Sequence, residues 1–236
     1  MNDKYELKTV ARIRSDFPTK FGIPRQAGIV EELEAEIVFE PEYRNPDALR
    51  GLEGFSHIWL IWQFSRAVRE DWSPTVRPPR LGGNERMGVF ATRSPFRPNA
   101  LGLSCVRISG IRTDAVLGPV ISVRGADLMD GTPIYDIKPY IPYSDIRPDA
   151  LSGFAPDSGS TLRVEFCEGV KEKIPENKLA ALIGVLENDP RPRYKTDSDR
   201  VYAMEFAGYE VKFMVENGTL TVTDIDSIPH FQRKLP

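Results

Sequence analysis

Arginine is concentrated in one stretch of this 236-residue chain, whose overall net charge is −3. Residues 66–97 contain no lysine and only three acidic residues. A local excess of positive charge in an acidic protein indicates one place where an anionic ligand binds, and the flat donor fork of arginine suits phosphate, carboxylate or the edge of a base. A solvated basic loop is the simpler alternative. The arginines are Arg66, Arg69, Arg77, Arg80, Arg86, Arg93 and Arg97.

Proline and glycine punctuate this basic stretch. The segments Arg77–Asn84 and Phe90–Asn99 show no regular hydrophobic period, which predicts a long loop around one short strand. A stiff loop loses little conformational entropy when its arginines bind a ligand. The glycine spacing lacks the Lys-Ser/Thr ending of a phosphate loop, so we exclude hydrolysis of nucleoside triphosphates.

Three further segments place polar groups on turns. Phe21–Gln26 presents an arginine and an amide after a proline. In Asp127–Pro133 the backbone amides and carbonyls can hold an amino-acid or adenine group, and the carboxylates of Asp127 and Asp130 can face a sulfonium; ordinary Asx-turn chemistry is the simpler interpretation. Asp127 and Asp130 could also act as the carboxylate pair of a glycosidase, but that role needs a defined separation between the carboxylates, which the sequence does not give. Asp189–Tyr194 combines two arginines with a ring, as single-stranded RNA contacts require.

Cysteine and histidine are rare in the chain. Cys105 and Cys167 lie in apolar, strand-like segments, which predicts two buried thiols in a reducing cytosol. With only His57 and His230 available, we exclude a zinc site, and His57 in its apolar segment is predicted to be structural. No run of 18 apolar residues predicts a membrane span, and the first residues do not resemble a secretory signal.

Several short strand-like segments, separated by glycine and proline turns and without long helices between them, predict a mainly β fold for about the first 145 residues. Phe55–Phe64 is apolar on both faces, which predicts a central strand buried on two sides. No strand leads through a glycine-rich turn into a helix, so a nucleotide-like cofactor must bind in some way other than the dinucleotide fold. The predicted strands are Tyr5–Ile13, Ala35–Phe39, Phe55–Phe64, Met87–Ala91, Gly102–Arg112, Val120–Arg124 and Ile134–Ile137.

The composition changes after residue 150. Residues 151–161 form a small, polar predicted linker, and residues 162–236 a small α+β domain. Within it, Lys178–Glu187 has the apolar period of an amphipathic helix, and Glu216–Gly218 predicts a hairpin turn. Residues 1–150 are predicted to form an antiparallel β-barrel domain. The predicted C-terminal strands are Leu162–Cys167, Val201–Phe206, Tyr209–Val215 and Leu220–Val222.

Seven segments together resemble the TsaA-like (YaeB/TrmO) family of tRNA (adenine-N6)-methyltransferases. The resemblance covers nearly the whole chain, and its block from Arg77 to Asn99 is long enough to be specific. It implies a six- or seven-stranded antiparallel barrel outside the Rossmann methyltransferases, with S-adenosylmethionine held near a homodimer interface. The segments are Pro24–Gln26, Gly51–Trp59, Arg77–Met87, Gly88–Asn99, Asp127–Pro133, Asp136–Tyr140 and Asp189–Tyr194.

The resemblance also implies a reaction and a set of cofactor contacts. The reaction is methylation of N6 in N6-threonylcarbamoyladenosine beside the anticodon of a threonine tRNA, in the cytoplasm and without a metal. Relatives carry histidine where this chain has Ser65, so that contact departs from the family pattern. The implied contacts to S-adenosylmethionine are Pro24, Arg25, Gln26, Ser65, Arg66, Arg93, Leu103, Met129, Asp130, Gly131 and Thr132.

The remaining roles follow from the chemistry of the acceptor. The threonyl carboxylate needs an arginine clamp, for which we predict Arg93 or Arg97. The acceptor nitrogen must lose a proton, and Asp130, Tyr140 and water are the candidate proton acceptors. The predicted RNA contacts are Arg77, Arg80, Arg86, Arg191, Arg193 and Tyr194.

Three other functions use some of the same residues. A non-catalytic module that binds RNA or a nucleotide would use the arginines without turnover. A methyltransferase for a small molecule or a protein would not need Asp189–Tyr194, and its activity would not depend on salt. A scaffold protein would account for the hairpins but not for the stiff arginine-rich loop.

Overall fold

The computed structural model describes residues 5–68, 71–155, 161–191 and 200–229. In these ranges the chain is mainly β, as predicted, with twelve strands and two α-helices. The strands are β1 Ala11–Arg14, β2 Glu34–Phe39, β3 His57–Gln63, β4 Thr75–Val76, β5 Met87–Gly88, β6 Leu101–Asp114, β7 Gly118–Arg124, β8 Pro133–Pro139, β9 Arg163–Phe166, β10 Tyr202–Phe206, β11 Tyr209–Glu216 and β12 Thr219–Ser227. The α-helices are α1 Pro142–Asp145 and α2 Glu176–Glu187. Short 3₁₀-helices span Pro41–Tyr43, Pro46–Leu49, Leu52–Gly54, Pro79–Leu81, Val89–Ala91 and Lys171–Lys173.

Six strands form a closed antiparallel sheet in the order β1-β2-β7-β6-β3-β8, a closed barrel in which β8 pairs with β1. Alternate residues of each strand face the interior. Along β3, for example, Ile58, Leu60 and Trp62 are buried. The buried cluster of the barrel therefore consists of aliphatic side chains with Phe39 and Trp62.

The outer face of β3 corrects one prediction. His57, Trp59 and Ile61 alternate with the buried residues and are only partly buried, so β3 is not fully covered on both sides within one chain. Leu103 lies opposite Ile61 on β6 and is 56% exposed. Both faces of β3 are apolar in sequence, but only the interior face is buried, and the outer face stays partly exposed.

Residues 64–100 connect β3 to β6 outside the closed sheet. Within them, β4 and β5 form a two-stranded hairpin in which Thr75 pairs with Gly88 and Val76 with Met87. The predicted strand Met87–Ala91 is thus shorter than expected, because Val89–Ala91 turns into a 3₁₀-helix. This turn directs the following arginines back towards the closed sheet.

The C-terminal part contains a second sheet in the order β10-β11-β12-β9, with β9 parallel to β12. The β11–β12 hairpin turns at Asn217 and Gly218, which both have positive φ, as the predicted turn requires. β12 is longer than predicted because a bulge at Thr223 breaks the alternation, so that Ile225 returns to the buried face. The amphipathic helix α2 buries Leu182, Val185 and Leu186 in the same core.

The loop between β1 and β2 joins the two sheets. Phe17 and Val30 from this loop are buried in the C-terminal core. Asp16 is also buried, and Lys178 on α2 donates to its Oδ2 at 2.6 Å. The division into residues 1–150, 151–161 and 162–236 stays a prediction, but the two sheets share a core through this loop.

Two predictions at the edges of the sheets are wrong. Residues 5–10 lie outside any strand, so the first strand starts at Ala11 and not at Tyr5. Cys167 is exposed immediately after β9, whereas Cys105 is partly buried on the outer face of β6. Burial, followed by the negative charge of Asp145, raises the pKa of the Cys105 thiol.

Candidate functional site

A chain of side-chain to backbone hydrogen bonds shapes the segment that carries Arg93 and Arg97. Val89 is buried and fixes the 3₁₀-helix, and Thr92 Oγ1 donates to its carbonyl at 2.8 Å. Ser94 N donates to Thr92 Oγ1 at 3.2 Å, and Arg97 Nη1 donates to the Thr92 carbonyl at 3.3 Å. Both predicted clamp residues therefore come from one ordered turn, in which Arg97 supports the backbone and Arg93 extends outwards.

Arg93 meets the β1–β2 loop. Its Nη1 donates to Oε1 of Gln26, although the two residues are 67 positions apart in sequence. The loop itself is tied to the closed sheet, since Gly28 N donates to the Gly125 carbonyl at 2.8 Å. Pro24 is buried and Arg25 is exposed. The structure thus brings two of the predicted motifs, Pro24–Gln26 and the arginine-rich loop, into direct contact.

A polar network lies directly beneath this contact. Trp62 Nε1 donates to Ser104 Oγ at 3.0 Å, and Ser104 Oγ donates to Asp127 Oδ1 at 2.6 Å. Burial raises the pKa of Asp127, while the Ser104 hydroxyl, the positive charge of Arg93 and the backbone of Ala27 lower it only in part. Among the described residues no ion pair joins Asp127 to a cation. A partly buried carboxylate close to an arginine is therefore only partly neutralised.

Gly102 allows this network to form. It lies opposite Trp62 in the β3–β6 pairing, and a Cβ on Gly102 would overlap the indole ring. The indole therefore lies flat across Gly102, with its N–H directed at Ser104. The sequence interpretation took Trp62 as a core residue and did not single out Ser104 or Gly102. The available signal was a tryptophan near the end of the predicted strand Phe55–Phe64 and a glycine at the start of the predicted strand Gly102–Arg112.

The turn from Met129 to Thr132 is fastened to β1. Asp130 Oδ1 accepts from Ser15 N at 3.0 Å, and Gly131 N donates to the Ile13 carbonyl at 2.9 Å. Asp130 N donates to Phe17 O at 2.8 Å, and Thr132 N to Met129 O at 3.1 Å. The amides of Asp130, Gly131 and Thr132, which we expected to hold a ligand, already have partners inside the chain. The Asp130 carboxylate accepts from a residue 115 positions away, so its contact is long-range and is not the local Asx turn of the simpler interpretation. The Thr132 hydroxyl is also bonded within the turn, since its Oγ1 donates to the Met129 carbonyl at 2.7 Å.

Other predicted cofactor contacts lie around the end of β3. Ser65 and Arg66 are exposed just after this strand, and Lys20 Nζ donates to the Arg66 carbonyl at 3.0 Å, which ties this end to the β1–β2 loop. Leu103 neighbours Ser104, but its side chain points to the opposite, outer face of β6. Leu103 therefore borders the network without taking part in it.

Tyr140 is not brought to this end of the sheet. Its N–H donates to the His57 carbonyl at the start of β3, and its ring contacts Trp59 with centroids 5.7 Å apart. Trp62 is five residues further along the strand, roughly 17 Å at ~3.3 Å per residue. Within one chain, Tyr140 and Arg93 thus lie towards opposite ends of β3.

The predicted RNA contacts are spread over the molecule. Arg77 and Arg86 are exposed on the β4–β5 hairpin. Arg191 is partly buried and forms a bidentate ion pair with Asp189, in which Nε donates to Oδ1 at 2.8 Å and Nη2 to Oδ2 at 3.0 Å. Arg193 and Tyr194, and the side chain of Arg80, lie outside the described residues. In the part of the chain that is described, no cluster of three or more His, Cys, Asp or Glu residues could hold a metal ion, and no helix is long and apolar enough to cross a membrane.

Comparison with known proteins identifies the family. The model of the tRNA-methyltransferase O N-terminal domain matches residues 12–146, and that of the TrmO C-terminal domain matches residues 159–228. The chain belongs to the tRNA-methyltransferase O family. The recognised resemblance is therefore confirmed.

Individual members of this family are similar to this chain over most of their length. The tRNA (adenine(37)-N6)-methyltransferase of Escherichia coli K12 is 38% identical over 229 residues, which cover 92% of this chain and 96% of that protein. A putative S-adenosylmethionine-dependent methyltransferase of Pseudomonas aeruginosa is 38% identical, with 88% and 91% covered. A solved crystal structure of TrmO superimposes with a TM-score of 0.79 at 32% identity, covering 95% of this chain and all of that one.

Proposed function

We propose that this chain transfers the methyl group of S-adenosylmethionine to N6 of adenine 37 in tRNA, beside the anticodon. We further propose that the acceptor is N6-threonylcarbamoyladenosine in a threonine tRNA. The observation that carries the proposal is the contact between Arg93 and Gln26 above the partly neutralised carboxylate of Asp127. Family membership and the name of the Escherichia coli relative support it.

The residues at this end of the closed sheet fit a cationic cofactor. Asp127 has no ion-pair partner among the described residues, and burial raises the pKa of its carboxyl. A positive charge bound nearby would favour the ionised carboxylate. When bound, S-adenosylmethionine supplies an electrophilic methyl group on a positively charged sulfur. The proposed contacts comprise the residues implied by the family resemblance, now joined by Asp127. They are Asp127 and the implied contacts Pro24, Arg25, Gln26, Ser65, Arg66, Arg93, Leu103, Met129, Asp130, Gly131 and Thr132.

The protein's own groups would act by positioning and by handling one proton. Arg93 extends from its ordered turn and would hold the threonyl carboxylate, while Arg97 keeps that turn in shape. Asp130 is held by Ser15 N–H and is fixed in orientation. We keep Asp130, Tyr140 and water as proposed acceptors of the N6 proton. The two RNA-facing arginines of the hairpin, Arg77 and Arg86, would neutralise phosphates.

A second copy of the chain would complete this arrangement. The outer face of β3 and β6 exposes Leu103 beside Ile61, and Tyr140 lies at the far end of that face. In a two-fold dimer the same patch meets itself, so opposite ends of the face come together. Tyr140 of one protomer would then approach the Arg93 end of its partner. We propose a cytoplasmic homodimer, in which Leu103→Glu shifts the mass measured by light scattering to that of a monomer.

The experiment uses two matched tRNA samples, one with and one without the threonylcarbamoyl group, and labelled S-adenosylmethionine. Label is expected only in the modified tRNA. Arg93→Ala should lower kcat/KM roughly 10- to 100-fold, the effect of removing one hydrogen bond to a charged group. Arg50→Ala is the control, because Arg50 pairs with Asp47 on an exposed 3₁₀-helix away from the site.

Each other outcome selects a different function. Cofactor binding with no label in either tRNA would move the acceptor to a small molecule or a protein. RNA binding without cofactor binding would favour the non-catalytic module. Full activity of Arg93→Ala with unchanged cofactor affinity would remove Arg93 from the clamp.

A further inference from the structure

Two large aromatic side chains stand exposed on the arginine-rich loop. Trp72 precedes the β4–β5 hairpin and Phe90 follows it, with 49% and 72% of their surfaces exposed. Their ring centroids are 6.1 Å apart and the ring planes differ by 30°, which is a stacked arrangement. Neither residue stands out in the sequence as a binding group, because Trp72 belongs to no predicted element, Phe90 falls within the predicted strand Met87–Ala91, and the two are 18 positions apart.

The pair is not needed to hold the hairpin together. Val89 N donates to the Pro74 carbonyl at 2.9 Å, and the buried side chain of Val89 anchors the end of β5. Ser73 Oγ donates to the Thr75 carbonyl at 2.6 Å on the other arm. Backbone and side-chain hydrogen bonds thus set the positions from which the two rings project. A contiguous apolar surface that stays exposed on such a frame indicates a binding site.

Two arginines lie on the hairpin that connects the aromatic pair. Arg77 and Arg86 flank the two strands of the hairpin, and Arg86 Nη1 donates to Thr75 Oγ1 at 3.2 Å. Phe90 is three residues before Arg93 on the turn that reaches Gln26. An open aromatic face beside arginines is the combination that binds unstacked nucleotides of single-stranded RNA, because every base has a π-face and every phosphate of the backbone carries a negative charge.

We propose that Trp72 and Phe90 form a stacking platform for an unpaired nucleotide of the anticodon loop, next to the adenosine presented to Arg93. Phe90 offers its open face to the base, and Trp72 supports it from behind. The assignment rests on the proposed tRNA substrate, but it concerns binding of the loop and not the transfer of the methyl group. The platform therefore distinguishes unpaired from paired RNA without reading its sequence.

The test compares two fluorescent RNAs by anisotropy: an anticodon stem–loop and a fully paired duplex of the same length. The Trp72→Ala/Phe90→Ala double variant is expected to bind the stem–loop about 5- to 100-fold more weakly, the range for lost base stacking, and to bind the duplex as the parent does. The slope of log Kd against log salt should not change, since no phosphate contact is lost. In contrast, Arg86→Ala should lower that slope by about 1.

Two control variants test whether the rings themselves bind the base. Trp72→Phe/Phe90→Tyr keeps both π-faces and should restore binding to within a few-fold of the parent. Val116→Ala truncates another exposed apolar residue at the far end of β6 and should have no effect. Equal losses for stem–loop and duplex, parental stem–loop binding by the double alanine variant, or a change in its oligomeric mass would each overturn the platform.

The proposed methyl transfer and the proposed stacking platform can fail independently of each other. If the double alanine variant loses stem–loop affinity while the parent methylates neither tRNA sample, the platform holds and the reaction does not. If methyl transfer occurs with an unchanged KM in the double variant, the reaction holds and the platform does not.

Discussion

The seam between the two sheets buries an aspartate, Asp16, and the end of the closed sheet partly buries another, Asp127, but the two have different partners. At the seam, Asp16 is 1% exposed and Lys178 donates directly to it at 2.6 Å. At the sheet end, Asp127 accepts from the Ser104 hydroxyl, and Arg93 is near but bonded to Gln26. Asp16 has a direct ion-pair partner, whereas Asp127 has none among the residues that the structure describes.

This difference separates a structural role from a functional one. The Asp16–Lys178 ion pair is directly bonded, so the charge of Asp16 is compensated within the chain, and the pair joins elements that lie far apart in sequence. A carboxylate whose pKa is raised by burial has a charge that a bound cation can still stabilise. We therefore interpret the seam as part of the scaffold and the sheet end as the place where chemistry occurs.

The largest expected effect follows from breaking the seam. Lys178→Met keeps the length of the side chain but leaves the Asp16 carboxylate buried without its cation. We expect a loss of about 3–5 kcal/mol in the free energy of unfolding, measured by urea denaturation. Cofactor affinity at temperatures where the variant stays folded should not change.

The matched control is an exposed lysine–aspartate pair in the same C-terminal part. Lys173 donates to Asp224 at 2.5 Å, and both side chains are well exposed. Lys173→Met should cost about 0–1 kcal/mol because solvent already screens the pair. Similar losses in both variants would show that burial at the seam is not what stabilises it.

The sequence predicted the elements better than the contact between the sheets. Alternation and turn residues located strands such as Gly118–Arg124 and the helix Glu176–Glu187 to within two residues. They gave no sign that Phe17 packs into the C-terminal core, because a loop residue has no periodic neighbours. The pairing of Asp16 with Lys178 spans 162 positions and is invisible to any local pattern.

A smaller effect is expected at the sheet end. In Gly102→Ala the new methyl group overlaps the ring of Trp62, which must shift away from Ser104. We expect a loss of about 1–3 kcal/mol in unfolding free energy, together with weaker cofactor binding. Gly110→Ala is the control in the same strand, since its Cβ would meet no atom within 4 Å. Equal stability of the two variants would mean that the indole does not need its position over Gly102.

The candidate site was predictable where residue type alone indicates chemistry. Arg93 and Gln26 stood out as a basic loop and a donor-bearing turn, and the structure joins them. Ser104 did not stand out, because a serine in an apolar strand has no sequence signature. Its role depends on the register that sets it opposite Leu60 and two residues beyond Gly102.

The smallest effect concerns the pH dependence of stability at Asp127. Because burial raises its pKa in the folded protein, the folded state binds this proton more tightly than the unfolded state. Asp127 therefore costs stability as pH rises from about 3.9, its ordinary value, through its raised value. Relative to the parent, Asp127→Asn should gain stability over that window and show a constant difference at higher pH, as measured by melting temperature.

Asp114 provides a control of the opposite sign. The backbone N–H groups of Leu117 and Val116 lower its pKa in the β6–β7 turn, so its contribution is present above the ordinary value and is lost as pH falls through the lowered one. Asp114→Asn should therefore lose stability relative to the parent as pH rises. If both variants changed in the same direction, Asp127 would not carry a burial cost. The distinction from the ion-paired Asp16 would then have to rest on geometry alone.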